Sequence, residues 1–230
     1  MQPVELSVIM AACNEIETIA AAIDRVLAVD VSKELIVVDN CSEDGTREFL
    51  ESFQADGVQV ILQQENRGKG NSIRTALPRC RGTCTVIQDA DLEYDPACFP
   101  DLLAAIEANG WDAVYGSRVL GGHPAIYQHY YWGVRFLTWL TNAAFGCRLT
   151  DVATACKMVR TEVFQGLDLR GDGFDLDFEL TNKLARYGYR IGEIPIAYNP
   201  RSFEEGKKIR AGDGLRAMGT IVRDRLSSGR

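Results

Sequence analysis

The tripeptide Asp89-Ala90-Asp91, followed by Glu93 and Asp95, sets four carboxylates at alternate positions directly after the apolar run 83–88. Acidic oxygens so spaced suit a hard divalent cation. Mg²⁺ or Mn²⁺ needs only one or two of them when it also bridges the phosphates of a nucleotide. Asp95 has a competing duty, because Asp followed by Pro96 reads as the cap of the next helix. An Asp-x-Asp alone arises often by chance, so other positions must support it. Asp39 ends the apolar run LIVVD, where a carboxylate accepts from a base or ribose or simply starts an Asx-type turn through Asn40 and Ser42. In ENRGKGNSI (65–73), Arg67, Lys69 and two glycines precede a helix, an arrangement that favours phosphate. PRSFEEGKKIR (200–210) carries Arg201, Lys207, Lys208 and Arg210 on a glycine-containing loop. Such a loop either closes over a diphosphate or is a solvated surface.

The elements that must position these groups alternate. Strand signals at 5–10, 35–39, 58–62, 83–88 and 113–115 are separated by helical spacing at 16–27, 47–53, 69–77 and 95–108. That order predicts an α/β fold: a mostly parallel, Rossmann-like sheet flanked by helices. Its strand ends share one edge, where open α/β sheets bind ligands. The second half reads as helix 127–145 with Trp132, Phe136 and Trp139 on one face, helix 174–187, an edge-type strand 190–198 broken by Pro195, and helix 214–226. No internal repeat or low-complexity linker interrupts it. One domain over 1–230 is expected, with a regular half (about 1–118) and an embellished half (about 119–230).

Composition narrows the function. The 230 residues are 46% hydrophobic and 25% charged with net charge -7, which argues against nucleic acid as a partner. Residues 201–230 hold eight Lys/Arg against four Asp/Glu, a +4 tail on a -11 body, which suits phosphates or an anionic membrane surface. No apolar run reaches the roughly 18 residues of a membrane span, and Glu5 sits where a leader would be basic. Seven cysteines, several inside apolar stretches, read as reduced core thiols of a cytoplasmic protein. The pair in CRGTC is a poor zinc signature, with both histidines far away. The chain lacks the Walker spacing, and nothing after the first strand matches G-x-G-x-x-G.

Taken in order, the strand-end motifs A-C-N-E, V-D-N-C-S-x-D-G-T, N-R-G-K-G, D-A-D and Y-G-S-R resemble the family 2 glycosyltransferases with a GT-A fold, in the dolichol-phosphate mannosyltransferase-like branch. LTDVATACKMVR and IPIAYNPRSFEEGKK resemble that branch's later segments, so the likeness runs from Leu6 to about Arg223. It implies that the regular half binds a nucleotide sugar and the embellished half an acceptor. It implies further that Ala12, Asn14 and Glu15 line a nucleotide pocket, that Asp39 binds the base, and that Lys69 and Gly70 lie beside the nucleotide. It implies that Asp89, with Ala90, contacts the sugar-nucleotide, while Asp91 and Glu93 hold the metal. Arg118 and Arg135 match arginines that bind an acceptor phosphate, and Arg201 and Lys208 would clamp the donor phosphates. Three departures stand out. Asp39-Asn40 replaces two aspartates, the R-x-x-G-x-S-K loop is one residue longer and lacks its Ser, and no membrane-spanning tail is present.

The implied reaction is an inverting transfer of a sugar from GDP-mannose or a UDP-hexose, with Mg²⁺ or Mn²⁺, to a polyprenyl or dolichyl phosphate. That phosphate is already anionic and needs no base. On a hydroxyl acceptor, Asp177 or Glu179 would take the proton. Both also fit a helix start, where acids favour the dipole. Trp132, Phe136 and Trp139 beside Arg135 read either as core or as a membrane-interface stripe, peripheral on the cytoplasmic face. A sugar-nucleotidyltransferase would carry a Gly-rich basic loop after the first strand, which A-C-N-E is not. A silent nucleotide-sugar-binding protein would have no reason to keep D-A-D.

Overall fold

A computed structural model of the chain describes residues 4–122, 128–201 and 211–227. Seven strands form one sheet: β1 (Leu6–Ala12), β2 (Lys33–Asp39), β3 (Val58–Leu62), β4 (Cys84–Asp89), β5 (Ala113–Ser117), β6 (Lys157–Arg160) and β7 (Ile191–Pro195). Their order is β3-β2-β1-β4-β6-β5-β7, and every pairing is parallel except those of β6. The helices are α1 (Ile19–Ala28), α2 (Thr46–Ser52), α3 (Lys69–Ala76), α4 (Phe99–Asn109), α5 (Gln128–Phe145), α6 (Thr161–Gly166), α7 (Leu176–Arg186) and α8 (Ala211–Leu226).

Two apolar cores follow from the period-2 alternation of the strands. Val8, Met10, Leu35, Val37 and Val86 pack on one face with Ile19, Ile23 and Val26 of α1 and Leu102 and Ile106 of α4. Ile9, Ile36, Val38 and Ile87 pack on the other with Ile73 of α3, Leu180 and Leu184 of α7, and Ala217 and Ile221 of α8. The central strands are buried on both faces, as their unbroken apolar runs predict.

The chain runs from β1 outward to β2 and β3, then crosses back to place β4 on β1's other side. Strand order reverses between β1 and β4, which opens a crevice at their carboxyl ends. There Ala11 pairs with Asp89, and Ala12 with Asp39 on the other flank.

Two elements were not expected from the sequence. Residues 157–160 form β6, antiparallel between β4 and β5, and α6 follows at once. The strand is four residues long and begins with a lysine, so it lacks an apolar signature. Lys157 is nevertheless fully buried, because its ammonium is paired internally. Other differences are at boundaries. The expected helix 95–108 begins as a 3-10 turn at Pro96–Cys98, capped by the Asp95 carboxylate on the Ala97 N–H at 3.0 Å. α3 gives way to a 3-10 turn that contains Pro78. β7 ends at Pro195 on the sheet edge, and Tyr198 adds one isolated bridge to Tyr94. Among the described residues no helix is long and apolar enough to cross a membrane.

The start of α3 is pressed against the segment 171–173. Gly68 adopts φ +89°, and Asn71 N–H donates to Asp172 O at 3.2 Å. A Cβ on Gly70 would lie 2.5 Å from Gly171 O and 2.9 Å from Gly173 O, both backbone atoms. Gly70→Ala should therefore cost about 1–3 kcal/mol of stability through overpacking. Urea unfolding of parent and variant checks this; an unchanged midpoint would mean that the segment yields freely.

Candidate active site

A cleft of about 340 Å³ opens at the carboxyl ends of β1 and β4. Its floor is short-chained, with Ala11 and Ala12 at the end of β1 and Ala90 after β4. Its walls carry charge from seven segments. Glu15 follows β1, Lys69 begins α3, Asp89 ends β4 with Asp91 and Glu93 just after it, Arg118 follows β5, Asp177 lies at the start of α7, and Arg201 follows β7. Asp213 and Arg216 reach in from the first turns of α8. The last two were not anticipated; +4 on the tail was the only hint.

Each wall carboxylate that follows β1 and β4 meets a cation. Lys69 Nζ lies 2.5 Å from Asp89 Oδ1. Burial pulls the Lys69 ammonium down, but Asp89, Asp177 and Asp91 outweigh it and hold its pKa above the ordinary value. Arg201 donates through Nη1 and Nη2 to Glu15 at 3.0 and 3.3 Å and through Nη2 to Asp91 Oδ2 at 3.0 Å. Asp91 Oδ1 accepts the Glu93 N–H at 3.1 Å. Burial, reinforced by Asp89 and Glu93, pushes the Asp91 carboxyl up to about 7 against the pull of Arg201.

Glu93, expected as a metal ligand, lines the cleft and also joins two segments of the chain. Its Oε2 accepts from Tyr198 OH at 2.5 Å and its Oε1 from the Arg201 N–H at 3.0 Å. With Asn199 N–H on Glu93 O at 2.9 Å, this sews the chain after β7 onto the turn after β4. Both Glu93 oxygens thus accept hydrogen bonds from the chain after β7.

The two arginines expected at an acceptor phosphate differ in position. Arg118 lines the cleft, but its guanidinium grips the buried Asp151 through Nε at 2.7 Å and Nη2 at 2.8 Å, and its N–H adds a third bond at 3.1 Å. Its charged group also lies 5.1 Å from the Tyr198 ring centroid. Arg135 is not on the cleft wall; it donates to Thr150 O at 3.0 Å and braces the same loop. Asp39 is fully buried and holds Arg47 at 3.1 Å and the Ser42 N–H, so Asn40 is the residue that reaches the wall. Asn14, at φ +54°, turns to accept from Glu43 N–H at 2.8 Å and is not on the wall. Gly70 likewise serves packing. Lys208 lies outside the described residues.

The two candidate bases part company. Asp177 faces the cleft and accepts from Lys157 Nζ at 2.8 Å. Glu179, fully buried, caps the N–H groups of Arg170 and Gly171 and pairs with Lys183 at 2.8 Å, away from the wall.

The donor set fits a divalent cation. Asp91 offers a hard oxygen toward the cleft, and a guanidinium already stands at that position as a cation. Among the described residues no three acidic, His or Cys groups form a complete metal cage. A metal held at Asp91 would need further ligands from a bound molecule, such as the oxygens of a diphosphate.

A crevice at the strand-order reversal, carrying an acidic turn after β4 and a lysine at the start of α3, defines a GT-A fold. The sequence profile described as Glycosyl transferase family 2 matches residues 7–167, well over half the chain. The chain belongs to that glycosyltransferase family. An undecaprenyl-phosphate mannosyltransferase of Micrococcus luteus is 28% identical over 210 residues, covering 84% of this chain and 83% of that protein. A dolichol-phosphate mannosyltransferase of Pyrococcus furiosus is 28% identical over 211 residues, with 88% and 59% covered. A low-salt glycan biosynthesis hexosyltransferase of Haloferax volcanii is 27% identical over 208 residues, and the chain spans only 49% of its length. In fold the chain is similar to glucosyl-3-phosphoglycerate synthase of Mycobacterium tuberculosis, solved with Mn²⁺, UDP and phosphoglyceric acid. That match has a TM-score of 0.74 and 20% identity, and it covers 98% of this chain and 80% of that one.

Asp151 yields a pH prediction. Burial pushes its pKa up, but the charge and hydrogen bonds of Arg118 win and hold it below the ordinary value. Its stabilisation is therefore present above the unfolded value of about 3.9 and is lost as pH falls through the lower native value. Asp151→Asn should cost about 3–5 kcal/mol at pH 7 by stranding the Arg118 charge. The variant should also lose less of its remaining stability below about pH 4 than the parent does. Urea titrations across that range check both.

Proposed function

We propose that this chain transfers a hexose from a nucleoside-diphosphate sugar to a polyprenyl phosphate. The donor half of this reading rests on the acidic turn after β4 and its cations. Lys69 and Arg201 supply fixed positive charge where negative charge develops on the leaving diphosphate. Asp91 would hold Mg²⁺ or Mn²⁺, which adds Lewis-acid charge to the same diphosphate. The short side chains of Ala11, Ala12 and Ala90 let the donor approach the sheet edge. Tyr94 and Tyr198, with ring centroids 5.0 Å apart, and the Arg118–Asp151 pair keep that wall rigid.

The acceptor class rests on one observation, the Asp177–Lys157 pair. A hydroxyl acceptor needs a base, and Asp177 is the carboxylate at the start of α7 that faces the cleft. Its Oδ1 is already taken by the fully buried Lys157 ammonium at 2.8 Å, a pairing with which a substrate hydroxyl would have to compete. A phosphate oxygen attacks the anomeric carbon without giving up a proton, so the transfer inverts with no base. The names of the Micrococcus and Pyrococcus relatives support the same class.

The surface supports action beside a membrane. Residues 119–150 contain none of the chain's 32 Asp and Glu. Within them α5 exposes Trp132 (66%), Phe136 (51%) and Trp139 (61%) on one face. An acid-free aromatic face suits the interface of an anionic bilayer. Through Arg135 the same helix braces the Thr150 loop beside the cleft.

Labelled GDP-mannose and UDP-glucose, offered with Mn²⁺ and a short-chain polyprenyl phosphate, test the transfer. Asp177→Asn should lower kcat by less than about tenfold. Loss of about 10²–10⁴-fold would identify it as a base and move the acceptor to a hydroxyl. In flotation assays the protein should bind phosphatidylglycerol-containing vesicles. Replacing Trp132, Phe136 and Trp139 together by Ser should abolish this while the thermal shift given by the donor persists. Release of a dimer by those changes, without vesicle binding in the parent, would assign the face to a second copy instead.

A further inference from the structure

Arg201 arrives from the far end of the chain and lodges among carboxylates rather than in open cleft. Its guanidinium lies 3.0 Å from Glu15, 3.0 Å from Asp91 and 3.9 Å from Glu93, while its own N–H is fixed by Glu93. Three acidic side chains thus surround this one guanidinium. The lodging is incomplete as well. Arg201 Nε is buried and has no hydrogen-bond acceptor among the described residues, since Glu93 at 3.9 Å is beyond bonding distance. A buried donor left without an acceptor is unfavourable, because it has given up its water without a replacement.

We propose that the Arg201 guanidinium is the resident cation of the Asp91 cage. It must leave that position before a divalent cation binds, and the anion that draws it away is the donor's diphosphate. This rests on the proposed donor. A divalent cation brought to the Asp91 oxygen that Arg201 now holds would be repelled by the guanidinium at 3.0 Å. A nucleoside diphosphate offers the guanidinium a bidentate partner and an acceptor for its orphaned Nε. Moving Arg201 onto the phosphates opens Asp91 to the metal and adds the phosphates as further ligands. Metal affinity should therefore be low in the free protein and rise with nucleotide. By linkage, the metal raises nucleotide affinity by the same factor.

Mn²⁺ binding to the full chain, read by electron paramagnetic resonance of the free ion, tests the exchange without any turnover. Arg201→Gln removes the charge and should bind Mn²⁺ at least tenfold more tightly than the parent when no nucleotide is present. Arg201→Lys retains a cation and should stay close to the parent. Circular dichroism of each variant verifies folding. Equal Mn²⁺ affinity in the parent and Arg201→Gln would overturn the proposal. The parent alone gives an independent arm: UDP or GDP should raise its Mn²⁺ affinity tenfold or more. If neither nucleotide does so while Arg201→Gln still binds Mn²⁺ more tightly, the resident cation stands and the donor reading falls. Should Arg201→Gln fail to fold, an unchanged Mn²⁺ affinity with nucleotide in the parent would by itself overturn the exchange.

Discussion

Like charges gathered in a half-buried crevice have to be neutralised, and much of this molecule is arranged around that need. At an effective dielectric of about 20, two unit charges 4 Å apart repel by about 4 kcal/mol. Glu15, Asp89, Asp91, Glu93 and Asp177 all face one cleft. None of the cations that balance them comes from the same strand end. Lys69 comes from α3, Lys157 from β6 and Arg201 from beyond β7. The chain therefore brings cations to the carboxyl edge from three separate elements. The antiparallel β6 delivers Lys157, and the Tyr198–Glu93 clasp holds the segment that carries Arg201.

The same constraint separates holding groups from working ones. Arg118, Asp151 and Glu193 form a chain of contacts in which Glu193 accepts the N–H groups of Thr150 and Asp151 at 2.7 and 2.9 Å. Buried ion pairs of this kind contribute little net stability, but removing one member is costly. They fix a loop position at the cleft wall. Lys69 and Arg201 differ, because their partners face open cleft and an incoming anion can compete for them.

Much of the fold was legible in the sequence because the apolar runs of β1 to β5 and the helical spacing between them are local signals. β6 was not, because a buried lysine breaks its apolar pattern and only Asp177, twenty residues on, accounts for it. Within the site, Asp89, Asp91, Lys69 and Arg201 could be named from residue type and local position, and Glu15 from the family resemblance. Their pairings could not. Arg201 meets Asp91 and Glu15 across separations of 110 and 186 residues, which no local pattern encodes. Asp39 and Asn14 also stand at strand ends, yet one is drawn beneath the wall by Arg47 and the other is turned aside by a left-handed backbone. Residue type and spacing located the edge; the direction of each side chain was decided by neighbours distant in sequence.

The close fit of Gly68 and Gly70 against residues 171–173 bears on how this protein can be recombined. β6 lies between β4 and β5, β7 extends the sheet from β5, and α3 has no room for a Cβ where the later segment crosses it. The portion before residue 118 and the portion after it are thus interleaved rather than joined end to end. A chimera that takes its second portion from a relative inherits a seam running through the middle of a sheet and along a glycine-to-backbone contact. Exchange of acceptor preference between relatives is therefore better sought in grafted loops and helix faces than in exchanged halves.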